Sequence, residues 1–496
     1  MDEHELMGKM KISRAVAKMA VPSVISSLVT VVYNMADTFF VGQTGDSLQV
    51  AAVSLTNPIF ILMMAFANML GMGGSAVLSM ALGGKDETRA KNASSFVTYA
   101  SLFIGVAFAA VLILFMDPIL AVFGANEQTV EFARGYTFHI SYGAPFIIWS
   151  AAASFIVRAE GASKEAMAGS MIGTVANIVL DPIFISVLGQ GTAGAAIATT
   201  LGNVLASAYY LWYFLKKSRV LSIRWNYFTV GHGIMKRICS SGFPTAIFSA
   251  LMSVSTIVLN QLLVGYGNDP VAAIGIVFKA NMFITFLQMG LANGVQPLLG
   301  YNYGSGNMER FRGVESYTKK CCLVTGIAAT AMYFVLREPI IRLFIDDEGV
   351  VAYGVEMLVA YMLSGPVIGL LFVNMNCMQS VGHAFPATVL SVLRQGILLI
   401  PLLYLLRFLF GLNGVILGQS VTDYIAVILS IFMWRSIRRK VEKKERESAL
   451  CQNGLQEELQ AESGKISEIA EKSSKIPWGR KLRWLSNLLW GGSFLL

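Results

Sequence analysis

Twelve stretches of this chain are apolar for long enough to cross a bilayer, and that property narrows its possible folds more than any other. They run over about residues 16–42, 48–80, 93–116, 132–157, 163–188, 193–215, 238–265, 271–301, 315–336, 351–379, 385–407 and 412–436. A hydrocarbon core of roughly 30 Å needs about 20 helical residues to span it. Soluble core helices rarely need runs of this length. The chain is also only 14% charged and 55% hydrophobic, where an ordinary soluble domain carries roughly 25% charged residues. The expected fold class is therefore an all-α integral membrane protein with twelve transmembrane helices.

The net charge of +8 follows from where the basic residues lie. When alternate loops are assigned to the two sides of a membrane, the side holding the N-terminus carries 23 Lys and Arg through residue 440, and the other side carries 4. Basic residues are retained in cytoplasmic loops, so both termini are expected in the cytoplasm. The excess needs no nucleic-acid partner to explain it. Residues 1–15 read as a short cytoplasmic lead-in without a small-residue cleavage site. Five cysteines with no CxxC spacing and four histidines argue against a disulfide framework or a structural metal.

The two halves repeat. "VAAV" at 50–53 matches "VAAI" at 271–274, an offset of 221, and the same offset pairs Gly73 with Gly294, Gly83 with Gly304 and Arg89 with Arg310. "DPILAVF" (117–123) meets "EPIIRLF" (338–344); later the offset slips to 220, pairing Gly191 and Gly194 with Gly411 and Gly414. Each repeat has six spans, so both enter from the same side, as in parallel-repeat transporters. The expected organisation is an N-terminal lobe at 16–220, a cytoplasmic linker at 221–237, a C-terminal lobe at 238–440 and a charged tail at 441–496.

Several motifs resemble the multidrug and toxic compound extrusion (MATE) family, bacterial type. They are "VYNMADTFFVG" (32–42), "VRAEGASKEAMAGSMIGTVANIVLDPIFI" (157–185), "GTAGAAIAT" (191–199), "GVQPLLGYNYGSG" (294–306) and "SVLRQGILLIPLL" (391–403). The resemblance covers about residues 12–440. It implies two six-helix lobes in a V around a central cavity, working by alternating access. It also implies export of cationic or amphiphilic drugs in exchange for H⁺ or Na⁺. The related lipid-linked oligosaccharide flippases are the alternative within the superfamily.

Ionisable residues inside spans default to function because they are costly there. Asp37 sits in the first span and Asp181 in the fifth, with Asn177 four residues before Asp181 on the same helix face. Pro182 lacks an N–H and weakens the helical ladder beside Asp181. The resemblance carries an ion- or proton-coupling cluster over to Asp37, Asn177, Asp181 and Thr199. Carboxylate, amide and hydroxyl oxygens suit Na⁺, and paired buried carboxylates also suit a proton. The bland reading is a polar cluster that only locks helices together. Where some family members carry carboxylates in the second half, this chain has Asn260, Gln261, Asn374 and Asn376. Asn281, Thr285, Gln288 and Gln296 share one face of the eighth span and, with Asn34, are candidates for lining the substrate cavity; interhelical hydrogen bonding is the alternative.

Three charges stay unassigned. Lys279 and Asp423 share a depth of about 15 Å, which makes them a candidate ion pair, and Arg394 has no evident partner. The polar stretch 441–475 reads as disordered, followed by a basic segment in which Leu482, Leu485 and Leu489 fit an interfacial helix. No HExxH, GxSxG or P-loop occurs. The expectation is thus a monomeric, cofactor-free antiporter embedded in membrane lipid, with no enzymatic activity, no nucleic-acid partner and only a coupling ion at its polar cluster.

Overall fold

The computed structural model of the 496-residue chain describes residues 5–42, 47–231 and 233–474. The elements among them are helical throughout. In the first half the long helices are α1 (Ile12–Gly42), α2 (Ser47–Gly83), α3 (Glu87–Leu114), α4 (Val130–Ala159), α5 (Ser163–Pro182) and α6 (Gly191–Lys216). The second half holds α7 (Ile234–Val264), α8 (Asn268–Gly304), α9 (Met308–Val335), α10 (Glu348–Met362 with Gly365–Ser380), α11 (Ala384–Val392 through Leu399–Phe410) and α12 (Leu412–Ser474).

Nine of the described helices are each long and apolar enough to cross a membrane, and the two pieces of α10, bent by 45° at Leu363–Ser364, make a tenth span. The remaining two are α6, diluted by Gly and Thr, and α9, which opens on the charged run "MERFRGVESYTKK". Together they complete the twelve-helix, two-repeat architecture expected from the sequence.

The repeat register recurs in local structure. Asp86 caps α3 by accepting from the Arg89 N–H at 2.9 Å, and its mate Asn307 caps α9 by accepting from the Arg310 N–H at 3.0 Å. Each matched "PI" motif folds into a short helix, Met116–Val122 and Arg337–Arg342. These caps satisfy helix N-termini that would otherwise leave donors without partners.

The matched glycines lie where the lobes meet. A Cβ on Gly83 would stand 2.0 Å from the Tyr301 carbonyl oxygen, and one on Gly304 would stand 2.1 Å from that of Met80. Likewise Gly73 lies against Ile238 of α7, and Gly294 lies against Ala20 of α1. Only glycine permits helices to approach this closely. Ser75 donates across the same seam to Gln296 at 3.0 Å, and Asn302 and Arg310 donate to the Met7 carbonyl at 3.3 and 2.9 Å. These contacts all fall in the half of the helices nearest the start of α1, here termed the proximal half. In the distal half, Val32 and Met35 on α1 and Met252 and Ile257 on α7 are exposed.

The segment between the lobes is tied to the first lobe. Ser95 Oγ donates to the Ser222 carbonyl at 2.7 Å, Tyr99 Oη donates to that of Ile223 at 2.6 Å, and Phe96 stacks on Phe228. Met1–Ile437 form one compact unit and Arg438–Leu496 a second. In the latter, the stretch expected to be disordered instead continues α12 as helix to Ser474. Helix-forming Glu, Lys, Ala, Leu and Gln dominate it, and i,i+4 ion pairs such as Arg438–Glu442 and Lys443–Glu447 support it. The segment holding Leu482, Leu485 and Leu489 lies outside the described residues.

Candidate functional site

The candidate cluster forms where α1, α5 and α6 meet inside the N-terminal lobe. The close approach of α5 and α6 depends on small residues: a Cβ on Gly202 would lie 2.6 Å from the Gly173 carbonyl oxygen. That contact brings Thr199 opposite Asn177. With its amide oriented to satisfy both neighbours, Asn177 accepts from Thr199 Oγ1 at 3.2 Å and donates to Asp181 Oδ2 at 3.0 Å. Asp181 is 0% exposed, Asn177 3% and Thr199 4%. From α1, Tyr33 Oη reaches Thr199 Oγ1 at 3.4 Å. One turn further along α6, Asn203 donates to the Thr199 carbonyl at 2.8 Å and accepts from Ser150 of α4 at 2.9 Å.

Asp181 occupies the penultimate position of α5. After Pro182 the backbone widens into a π-helical turn, Ile183–Val187, closed by Leu188 N–H to the Ile183 carbonyl at 2.8 Å. A missing proline donor beside a π-turn is a common device for re-aiming a polar group. A charged carboxylate costs up to about 2.5–3.5 kcal/mol on insertion scales, the value at a membrane helix's centre, and less toward its ends. The hydrogen bond from Asn177, one turn earlier on the same helix, offsets part of that cost.

Asn177, Asp181 and Thr199 therefore sit together as the motifs implied. Asp37 follows Tyr33 by one helical turn on α1, and its side chain lies outside the described residues. Tyr33, Ser150 and Asn203 join the network without having been singled out. For Asn203 the signal was available: it stands four residues after Thr199, on the same helix face.

The cavity-lining candidates divide. Asn34, Asn281 and Thr285 are partly exposed. Gln288 and Gln296 are fully buried, Gln288 donating to the Cys322 carbonyl at 3.0 Å and Gln296 accepting from Ser75 across the lobe seam. Both therefore make the interhelical hydrogen bonds of the alternative reading. Asn374 and Asn376 are buried too, donating to Ser430 at 2.9 Å and Asn293 at 3.0 Å. No group of three or more His, Cys, Asp or Glu suited to a metal occurs among the described residues.

The candidate pair Lys279–Asp423 does not form. Asp423 instead accepts from Arg394 Nε at 2.7 Å, and Lys279 is exposed with no ion pair among the described residues. Equal depth fixes position along a helix axis only. The rotation of α12 turns Asp423 toward α11 and away from α8.

Two six-helix repeats meeting at a glycine seam, with a buried carboxylate–amide–hydroxyl cluster inside one of them, define a multi-pass membrane transporter. The sequence model of the MatE family matches residues 22–183 and again 244–405, one copy per lobe, and the chain belongs to that family. It is 32% identical over 440 residues to the multidrug export protein MepA of Staphylococcus saprophyticus, covering 88% of this chain and 97% of that protein. With MepA of Staphylococcus aureus the identity is 30% over 433 residues, covering 87% and 96%. Among solved structures, an outward-facing multidrug resistance MATE transporter of the MOP superfamily superimposes with a TM-score of 0.85 at 25% identity, covering 89% of this chain and 99% of that one. A MOP-superfamily transporter from Pyrococcus furiosus, described as having a binding pocket of reversed polarity, matches at 0.83 and 25%, covering 89% and 98%.

Proposed function

We propose that this protein is a cation-coupled multidrug antiporter that exports amphiphilic organic cations in exchange for H⁺ or Na⁺. In this reading Asp181, Asp37, Asn177 and Thr199 form the coupling cluster. The observation that carries it is the fully buried Asp181, hydrogen-bonded to Asn177 on its own helix and through Asn177 to Thr199 on α6. The names of the relatives as multidrug export proteins support the substrate class. The charge asymmetry of the loops supports a proximal face on the cytoplasmic side of a bacterial inner membrane. The glycine seam then lies on the cytoplasmic side, as a conformer open outward requires.

Coupling follows from linkage. If ion and substrate favour opposite conformers, each weakens the other's binding by the same factor. A lipid-linked oligosaccharide flippase would need several basic charges gathered around a pyrophosphate, whereas the buried Arg394 is already matched by Asp423 and Lys279 stands apart from that pair.

Asp181→Asn mimics the protonated carboxyl while keeping its shape. In expression-matched proteoliposomes with an imposed pH or Na⁺ gradient, this variant and Asp37→Asn are expected to insert normally and to lose gradient-driven ethidium transport. The double variant should be little worse than either single one, because the two residues act as one site. Wild-type rates in both single variants would refute the assignment.

A further inference from the structure

The C-terminal lobe contains a second polar cluster, whose α12 members stand at positions equivalent to the α6 members of the first. The 220-residue offset that pairs Gly191 with Gly411 also pairs Thr199 with Gln419 and Asn203 with Asp423. In the N-terminal lobe, Asn203 hydrogen-bonds back to the Thr199 carbonyl; in the C-terminal lobe, Gln419 Nε2 donates to Asp423 Oδ1 at 3.0 Å. The helix facing each cluster differs in charge. There α5 supplies Asn177 and Asp181, whereas here α11 supplies Arg394, whose Nε donates to Asp423 Oδ1 at 2.7 Å.

Arg394 is 6% exposed and Asp423 2%. The guanidinium carbon stands 5.3 Å from the centroid of the Phe248 ring of α7 and 5.7 Å from that of Phe372 of α10. Its Nη1 is buried without a hydrogen-bond partner. A carboxylate with two aromatic faces is the chemistry that recognises a cation, and charge and ring contacts hold this one more than a full set of hydrogen bonds does. The position of Arg394 is itself braced. It lies in the π-helical turn Leu393–Ile397, and Ser255 of α7 donates to the carbonyl of the next residue, Gln395.

We propose that Arg394 is a tethered counter-cation, filling from the chain itself the cation position of the C-terminal lobe. Asp423 then exchanges no ion during transport, and coupling is confined to the cluster around Asp181. Two carboxylate-bearing lobes thereby become one exchanging site and one sealed site.

The inference rests on the antiport reading for its transport arm only; a stability arm tests it independently. In Arg394→Ala the cage keeps its carboxylate and rings but loses its cation. The purified variant is expected to melt several degrees higher in guanidinium or sodium chloride than in choline chloride at equal ionic strength. Wild type and the double variant Arg394→Ala/Asp423→Asn should show no such difference. A variant that folds yet gains nothing from guanidinium, Na⁺ or K⁺ would show that the cage is not a cation site, and would overturn the proposal.

In proteoliposomes, Asp423→Asn is expected to drive ethidium with the wild-type number of ions per substrate. This arm decides the matter should Arg394→Ala fail to fold. Loss of gradient coupling in Asp423→Asn with ethidium exchange intact would place Asp423 in the coupling step and also overturn the proposal. Absence of gradient-driven transport in the wild type would refute the antiport reading alone and leave the melting comparison to decide the cage.

Discussion

Glu160, at the end of α4, is fully buried and serves four donors at once. Its carboxylate accepts from the Tyr213 hydroxyl at 2.9 Å, the Ser218 hydroxyl at 2.6 Å and the backbone N–H groups of Arg219 and Val220, both at 3.2 Å. One side chain thus anchors the start of the interlobe segment to the first lobe. Glu160→Gln keeps the volume but turns one acceptor into an amide N–H facing other donors. Hydrogen bonds to a charged group contribute about 1.5–3 kcal/mol each, so a destabilisation of about 2–4 kcal/mol is expected after partial relaxation. Thermal unfolding in detergent measures the loss, and limited proteolysis should show faster cutting between residues 217 and 231. Equal cutting of variant and wild type would mean that the anchor lies elsewhere. The residue stood in the legible motif "VRAEG", yet its four partners lie more than fifty positions away, so no spacing rule could have assigned this role.

The helices themselves carry the conformational design. α2 and α8 each place glycines so that the backbone of a helix from the other lobe fits against them, and the two sets are related by the repeat. Gly83→Leu would drive side-chain atoms into the Tyr301 carbonyl, where even a Cβ stands 2.0 Å away. Since neither helix backbone can yield locally, the proximal ends of α2 and α8 must separate. Overpacking of this kind costs about 1–3 kcal/mol, enough to shift a two-state equilibrium by roughly 5- to 150-fold. Spin labels on the proximal ends of α2 and α8 are expected to show longer distances in Gly83→Leu than in wild type, with gradient-driven transport reduced. An unchanged distance distribution would show that the seam can repack without opening. The glycine matches were visible as a constant offset in the sequence; that they face one another across the lobes was not, because an offset shows symmetry without showing contact.

For the whole molecule, orientation is the property on which the direction of export depends. On a background lacking the native cysteines, Asp346→Cys between the ninth and tenth spans is expected to react with an impermeant maleimide in intact cells. Lys85→Cys, between α2 and α3, should react only after permeabilisation. The opposite pattern would invert the molecule and make the conformer inward-open. Both positions are exposed, so accessibility across the membrane is the variable being read.

The chain alone determined its spans, their pairing into two repeats and the depth of each polar residue. Bilayer thickness sets the length of a spanning helix, and rise per residue converts position into depth. It also determined that Asn177 and Asp181 share a face, since four residues make about one turn. Only the tertiary structure decided how each helix is rotated about its axis, because that rotation is set by packing against neighbours distant in sequence. Hence Tyr33 meets Thr199, 166 residues away, and Asp423 meets Arg394 and leaves Lys279, its equal in depth, outside the pair.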